Sequence, residues 1–503
     1  LTKPSRKGPI LSLPQETAIA LGTLRDRATG LFDPTVRLGV TGLARAGKTV
    51  FITALVHNLL HNGRLPFFRA QQSGRISRAY LAPQPDDSVP RFQYEDHVAA
   101  LLEERQWPQS TRAVSELRLT IDYETASGWN RLFSPGRLSV DIIDYPGEWL
   151  LDLPLLSMTF ADFSQQAVDL VKSPPRRELA REWLEHARTI QPSDPADETV
   201  ARALAARYSA YLHACKADEK ALSTLPPGRF LMPGDLEGSP ALTFSPLVGD
   251  LEKHADKGSL QAMMERRFES YKALVVRPFF RDHFARLDRQ IVLIDTLQAL
   301  NAGAEAVIDL ERALQAILEC FRPGRTNFLS GLVSRRIDRV LIAATKADHL
   351  HHESHERLER LVEKLVARAC QRIGSSGADM SVLALAAIRS TREGTAMKDG
   401  EELPVIMGTP IAGEKIGDKT FDGKTKTAIF PGDLPENPDS VFKLVESQSE
   451  HPESIRQGSL IPDLRFVRFR PPLLERTSDG LRLSLPHIRL DRALEFLIGD
   501  YLE

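Results

Sequence analysis

Residues 36–55 read VRLGVTGLARAGKTVFITAL, and the order of chemistry along them decides the fold. Val36 to Thr41 is a short apolar run suited to a buried strand. GLARAGKT, Gly42 to Thr49, satisfies G-x-x-x-x-G-K-[ST], and Thr49 to Leu60 continues as a helical run. Strand, glycine loop and helix in that order predict a phosphate-binding loop. The glycines let successive amide N–H groups curl inward onto phosphate oxygens, and the start of the helix adds its partial positive charge. Gly42, Leu43, Ala44, Arg45, Ala46 and Gly47 thus form the cradle, with Lys48, Thr49 and Val50 opening the helix behind it. Lys48 reaches the β- and γ-phosphates, and the Thr49 hydroxyl offers Mg²⁺ one of the oxygen ligands it prefers. The loop alone suits ATP as well as GTP.

Outward from this loop, Leu138 to Ile143, Ile291 to Ile294 and Val340 to Ala344 read as buried parallel strands. Val382 to Ala387 and the alternating run Glu116 to Tyr123 bring the strands to six with the first. The expected fold is α/β: a P-loop GTPase-type, doubly wound, mostly parallel sheet. The long gap between the second and third parallel strands exceeds an ordinary crossover, and it holds helical runs at Arg177 to Ile190, Thr199 to Ala217 and Leu260 to Leu274. The predicted organisation is an N-terminal helical extension over 1–34, the P-loop G domain over 35–150 and 289–390, and a helical insertion over 151–288. A β-rich or irregular insertion over 391–483, with Leu464 to Phe469 as one of its strands, precedes a closing helix of the G domain over 484–503. The string PGDL occurs at Pro233 to Leu236 and again at Pro431 to Leu434, and each copy reads as a turn.

DIIDYPG places Asp144 at the end of a strand and Gly147 three residues on, a D-x-x-G turn. Asp144 is expected to hold a metal-bound water, and the Gly147 amide to sense the γ-phosphate. Asp141 competes for the metal role, but strand alternation turns it to the other face, away from the strand mouth where ligands bind. RVLIAATKAD then ends in Thr345, Lys346, Ala347 and Asp348, the [NT]-K-x-D element. A carboxylate there accepts hydrogen bonds from the ring N–H and exocyclic amine of guanine, whereas adenine presents an acceptor and leaves Asp348 unpaired. Lys346 is expected to lay its methylenes along the base. Ala387 and Ile388, after Ala386, occupy the place of a fifth element whose backbone N–H donates to the guanine carbonyl.

Thr111 is the expected switch threonine for Mg²⁺, with Ser110 and Ser115 as alternatives. Glu148 stands where a water-positioning Gln is common. Its carboxylate would repel a γ-phosphate unless protonated or turned away, which predicts slow hydrolysis. Arg45 and Arg112 read as solvated surface charges rather than arginine fingers. His349, His351, His352 and His355 cluster after Asp348, with His351 and His355 at i, i+4. Without an H-E-x-x-H order they read as a solvated helix start.

Lys plus Arg (65) and Asp plus Glu (67) nearly cancel, so no nucleic-acid partner is expected. Three separated cysteines suggest neither a disulfide framework nor a cysteine zinc site, and a reducing cytoplasm fits. No apolar stretch approaches the roughly 18 residues of a membrane span. The amphipathic run Pro14 to Leu31 is expected to pack on the core.

GLARAGKT, DIIDYPGEW, RFLMPGDLEGSPAL, RQIVLIDTLQALNAG, TKADHLHH, AIFPGDLP and PHIRLDRALEFL together make the chain resemble the YcjX-like family of bacterial stress-inducible P-loop GTPases, almost end to end. The resemblance implies GTP/GDP and Mg²⁺ as ligands, a stress-linked role, an unidentified protein effector, and a peripheral contact at the bacterial inner membrane. Two alternatives stay open: a nucleotide-sensing scaffold with negligible hydrolysis, and an ATPase or kinase-type enzyme.

Overall fold

The computed structural model describes residues 34–43, 45–109, 113–125, 136–217, 222–252, 255–321, 337–373, 378–398, 400–450, 460–461, 464–473 and 484–503. The leading run Pro14 to Leu31 lies outside them. Strands β1 (Thr35–Gly42), β2 (Ile76–Ala82), β3 (Ser115–Tyr123), β4 (Gly136–Asp144), β5 (Arg289–Ile294), β6 (Arg339–Ala344) and β7 (Asp379–Ala384) form one seven-stranded sheet of order β2-β3-β4-β1-β5-β6-β7. From β4 to β7 every neighbour is parallel, while β3 and β2 are antiparallel. The doubly wound, mostly parallel sheet is thus present with one strand more than the six expected. The addition, β2, sits at the edge and pairs only with β3. Its half-exposed ISRAYLA carries none of the continuous apolar signal of a central strand. The last strand also begins and ends earlier than the apolar run Val382 to Ala387 suggests.

Register sets the parallel strands flush. Gly42 lies opposite Leu293, Leu293 opposite Ala343, and Ile294 and Ala344 continue to Ala384, so the loops beyond them share one edge. Alternation gives the sheet two apolar faces. Ile291, Leu293, Leu341 and Ala343 face α1 (Lys48–Leu60) and the closing helix Leu490–Ile498. Val292, Ile294, Val340 and Ile342 face the other way, into a cluster that includes α2 (Phe160–Leu170), α3 (Pro174–Leu179), α4 (Arg181–Ala187), α5 (Glu198–Ala217), α6 (Leu260–Tyr271), α7 (Ala304–Glu319) and α8 (His355–Ile373). The helical segment between β4 and β5 therefore shares one continuous apolar interior with the sheet. Among the described residues, no helix is long and apolar enough to cross a membrane.

After β7, β8 (Arg392–Lys398), β9 (Glu401–Gly408) and Thr427–Ile429 make a small antiparallel sheet over Ile406, Phe421, Ile429, Val467 and Phe469. Leu464 to Phe469 is not a strand: only Phe469 bridges, to Pro410. A helix, Pro438–Glu450, was not expected in this Gly- and Pro-rich texture. Its proline sits in the first turn, where no N–H is needed, and Val441, Phe442 and Val445 bury one face. In both PGDL strings the glycine adopts positive φ, 56° at Gly234 and 79° at Gly432, as turns require.

One buried ion pair fastens the helical segment to the sheet side. Arg176 in α3, 1% exposed, meets Asp309 in α7, 2% exposed, at 2.6 Å. Asp309 also accepts the backbone N–H groups of Ser223 and Thr224, and Arg176 donates to Tyr211 and to the Thr224 carbonyl. Removing one partner strands a buried charge. Asp309→Ala is expected to lower unfolding free energy by about 3–5 kcal/mol in urea titration, and an unchanged midpoint would refute that role.

Candidate nucleotide site

The chain leaves β1 at Gly42 into a loop that tertiary contacts hold open. Leu43 N–H bonds the Leu293 carbonyl at 3.0 Å, and Ala46 N–H bonds Leu43 at 3.1 Å. Gly47 turns the chain at φ 81° with nothing within 4 Å of where a side chain would stand, and Phe51 N–H closes the first helical turn onto it at 2.9 Å. Arg45 is exposed at φ 62°. Thr49 is buried, its Oγ1 3.5 Å from the Gln109 carbonyl. Ala44, Ser110, Thr111 and Arg112 lie outside the described residues, so the expected switch threonine has no structural account. Ser115 opens β3.

Asp144 ends β4 at the same edge, 1% exposed, and the Lys48 ammonium donates to its carboxylate. Asp141, three residues earlier, is taken by Arg118 of β3 in a two-pronged ion pair at 2.6 and 2.8 Å. Gly147 rests directly on the phosphate loop, where an added Cβ would stand 2.3 Å from the Gly42 carbonyl oxygen.

The helical segment grips the residues just past Gly147. Glu148 is turned away and paired with Lys216 at the end of α5, at 2.8 Å. Lys216 thus compensates the Glu148 charge. Arg229 lies over the Trp149 ring at 3.7 Å, a cation–π contact. Gly228 packs against the Glu148 carbonyl so closely that a Cβ would come within 2.5 Å. The Asp152 carboxylate accepts Gly228 N–H at 2.8 and 3.0 Å and the Tyr271 hydroxyl at 2.5 Å. Complete burial pushes Asp152 from its ordinary 3.8 up to about 7. No sequence pattern pointed to Asp152, Lys216, Gly228, Arg229 or Tyr271, because they converge from four separate stretches.

At the end of β6, Thr345 is tied to the Ile294 carbonyl through both its N–H (2.9 Å) and its Oγ1 (3.1 Å). Lys346 takes φ 61°, and its ammonium donates to Asp295, the residue after β5. Asp295 also caps the helix Thr296–Ala302 through Gln298 N–H at 3.1 Å. Asp348 is buried, and its Oδ2 accepts the Ser390 N–H at 2.7 Å and hydroxyl at 2.6 Å. The Thr391 hydroxyl donates to the Asp348 carbonyl. Ser390 and Thr391, which hold Asp348 in this way, follow closely after Ala387 and Ile388, the expected fifth element. The Ala386 N–H is consumed by the Ile488 carbonyl, and Ile388 is buried in the core. Hydroxyl residues just past the last strand were the available signal for this pair. The histidines also depart from expectation: His349 and His355 are buried rather than solvated, and burial lowers the pKa of both.

A glycine loop at the middle of flush parallel strands, with β3 and β2 antiparallel beyond β4, makes this a P-loop protein with a GTPase-like fold. Within that class the chain belongs to the YcjX-like family, DUF463, whose family model matches residues 36–502. Similar relatives include the "Ras-like GTPase YcjX" of Escherichia coli K12, 38% identical over 483 residues covering 93% of this chain and 96% of the relative. The protein of the same name from Shewanella oneidensis MR-1 is 34% identical over 494 residues, 94% of this chain and 95% of the relative.

Gly147→Ala is expected to push the D-x-x-G turn off Gly42 and weaken nucleotide binding at least tenfold by fluorescent-nucleotide titration; wild-type affinity would refute the contact's importance. The raised pKa of Asp152 has a second consequence. The folded state holds a proton that the unfolded chain releases near 3.8, so Asp152 stabilises fully below that value. The contribution falls as pH rises and is lost above about 7. The unfolding free energy of wild type minus that of Asp152→Asn should therefore decline between these values and then level, and a flat difference would remove the assignment.

Proposed function

We propose that the protein binds GTP and GDP with Mg²⁺ and hydrolyses GTP slowly, acting as a nucleotide-controlled regulatory switch. The observation that carries the base assignment is the Asp348 carboxylate. It stands just past the end of β6, on the same sheet edge as the phosphate loop, and is fixed there by Ser390 from beyond β7. A preset carboxylate suits the two donors of guanine and rejects adenine, and losing a charge-assisted bond costs roughly 1.5–3 kcal/mol. The names of both relatives, Ras-like GTPases, support the same reading.

In this reading Gly42 to Val50 hold the phosphates, Thr345 and Lys346 flank the base, Ala387 and Ile388 supply the fifth element, and Ser390 and Thr391 brace Asp348. On nucleotide binding Lys48 exchanges Asp144 for phosphate. The donor set left by Thr49 and Asp144, a hydroxyl and a carboxylate, is all oxygen and fits Mg²⁺. When bound, that ion neutralises charge developing on the phosphoryl oxygens. The close approach of Gly147 to Gly42 supports its amide as the group that senses the γ-phosphate. Because Glu148, Trp149 and Asp152 are held by α5, α6 and the Gly228 turn, displacement of Gly147 would be felt by the helical segment, where we place the effector. The stress role and a peripheral inner-membrane contact rest on family resemblance.

Glu148, engaged by Lys216 where a water-positioning amide is common, supports slow turnover and keeps a second reading in play, a nucleotide-sensing scaffold. Single-turnover GTP hydrolysis separates them: measurable Mg²⁺-dependent turnover lost in Lys48→Ala supports the switch, and none in wild type supports the scaffold. Asp348→Asn should weaken GTP at least tenfold and favour xanthosine triphosphate, because an amide donor replaces an acceptor. Displacement of labelled GTP by ATP at equal concentration would overturn the guanine assignment.

A further inference from the structure

The four histidines after Asp348 divide into two pairs with different work. His355 Nε2 donates to the Ala347 carbonyl at 2.8 Å, and His349 packs between Phe466 and Phe469, so both serve the fold. His351 and His352 stand side by side, ring centroids 4.3 Å apart. One ligating atom from each of His351, His352 and Glu353 lies within 4.8 Å of the others. The Nδ1 atom of His351 is buried without a hydrogen-bond partner and faces the Glu353 carboxylate at 3.7 Å. A buried ring nitrogen with no partner is costly unless something occupies its lone pair.

We propose that His351, His352 and Glu353 form a site for a divalent transition-metal cation, zinc in particular, with Glu393 as the carboxylate that orients the His352 imidazole and lies beside that of His351. Glu393 comes from β8 and brings one oxygen to 2.7 Å from His352 Nδ1 and 3.9 Å from His351 Nε2. Metal-ligating histidines characteristically donate their second ring N–H to such a carboxylate, which directs the other nitrogen's lone pair at the ion. Glu393 takes Nδ1 of His352 and so leaves its Nε2 for the ion, while the buried, unpartnered Nδ1 is the ligating atom of His351. Arg389 donates to the other Glu393 oxygen at 3.0 Å and holds it in place. Zinc binds imidazole nitrogen and carboxylate oxygen at about 2.0–2.2 Å, which puts tetrahedral ligand atoms roughly 3.4 Å apart. Rotation of the exposed side chains is the route from the present spread to that spacing. The two that must rotate most freely, His352 and Glu353, are 62% and 63% exposed.

The ligands come a few residues after Asp348, and Glu393 comes three after Ser390. An occupied site would cross-link the two segments that carry the Asp348–Ser390 contact. The proposal does not depend on the nucleotide reading, since the ligands are distinct from the phosphate and base residues.

The test uses the full chain, stripped with EDTA and free of nucleotide, with Zn²⁺ alone competed against a chromophoric chelator. Wild type is expected to bind one Zn²⁺ per chain. The double variant His352→Ala with Glu353→Ala should lose at least 100-fold in affinity, and Glu393→Gln 10- to 100-fold. In EDTA all three proteins should melt alike, and Zn²⁺ should raise the melting temperature of wild type but not of the double variant. Zn²⁺ bound by wild type no more tightly than by the double variant overturns the site, as does unchanged affinity in Glu393→Gln. With no nucleotide present, such a failure leaves the GTP assignment untouched.

Discussion

The α-carbon of Gly147 lies against the Gly42 carbonyl with no room for a methyl group, and most of the site depends on that approach. It lays the loop after β4 directly on the phosphate loop after β1, which lets Lys48 meet Asp144. It also sets where the chain goes next. Glu148 points to Lys216, Trp149 lies under Arg229, and Asp152 is buried between the Gly228 amide and the Tyr271 hydroxyl. A glycine contact at the phosphate loop is thereby joined, by short and mostly buried contacts, to helices far along the chain.

Charge compensation organises the two ends of the site in the same manner. Lys48 is paired with Asp144 across β1 and β4, and Lys346 with Asp295 across β6 and β5. Each lysine is largely withdrawn from water and each acid almost wholly so, which is tolerable only because each neutralises the other. Asp348 differs: a hydroxyl and an amide hold it where a lysine holds the other two acids. A neutral clamp presets the acid's direction, whereas an ammonium would compete with incoming donors.

Much of this was legible from residue order. GLARAGKT between an apolar strand and a helix, DIIDYPG at a strand end and TKAD at another all carry local backbone requirements, and local requirements survive in sequence. The central strands were equally plain, because burial on both faces leaves an unbroken apolar run, as in β5. The edge strand β2 and the helix Pro438–Glu450 were not, since one half-exposed face or a loop-like setting dilutes periodicity. The hold of Ser390 and Thr391 on Asp348 was hidden for a similar reason, since it rests on how the chain is routed after β7. The bridge between Ala386 and Ile488 uses up backbone groups through a partner about a hundred residues away.

Residue order alone was enough to specify the glycine loop Gly42 to Thr49, the acids Asp144 and Asp348 at strand ends, and the mostly parallel sheet that brings them to one edge, because each depends on short-range geometry and burial. Packing in three dimensions had to settle that Glu148 is neutralised by Lys216, that Asp152 is buried with its pKa near neutral, and that His351 and His352 gather beside Glu393. Those outcomes depend on desolvation and on partners distant along the chain, and neither leaves a periodic or spaced mark in the order of residues.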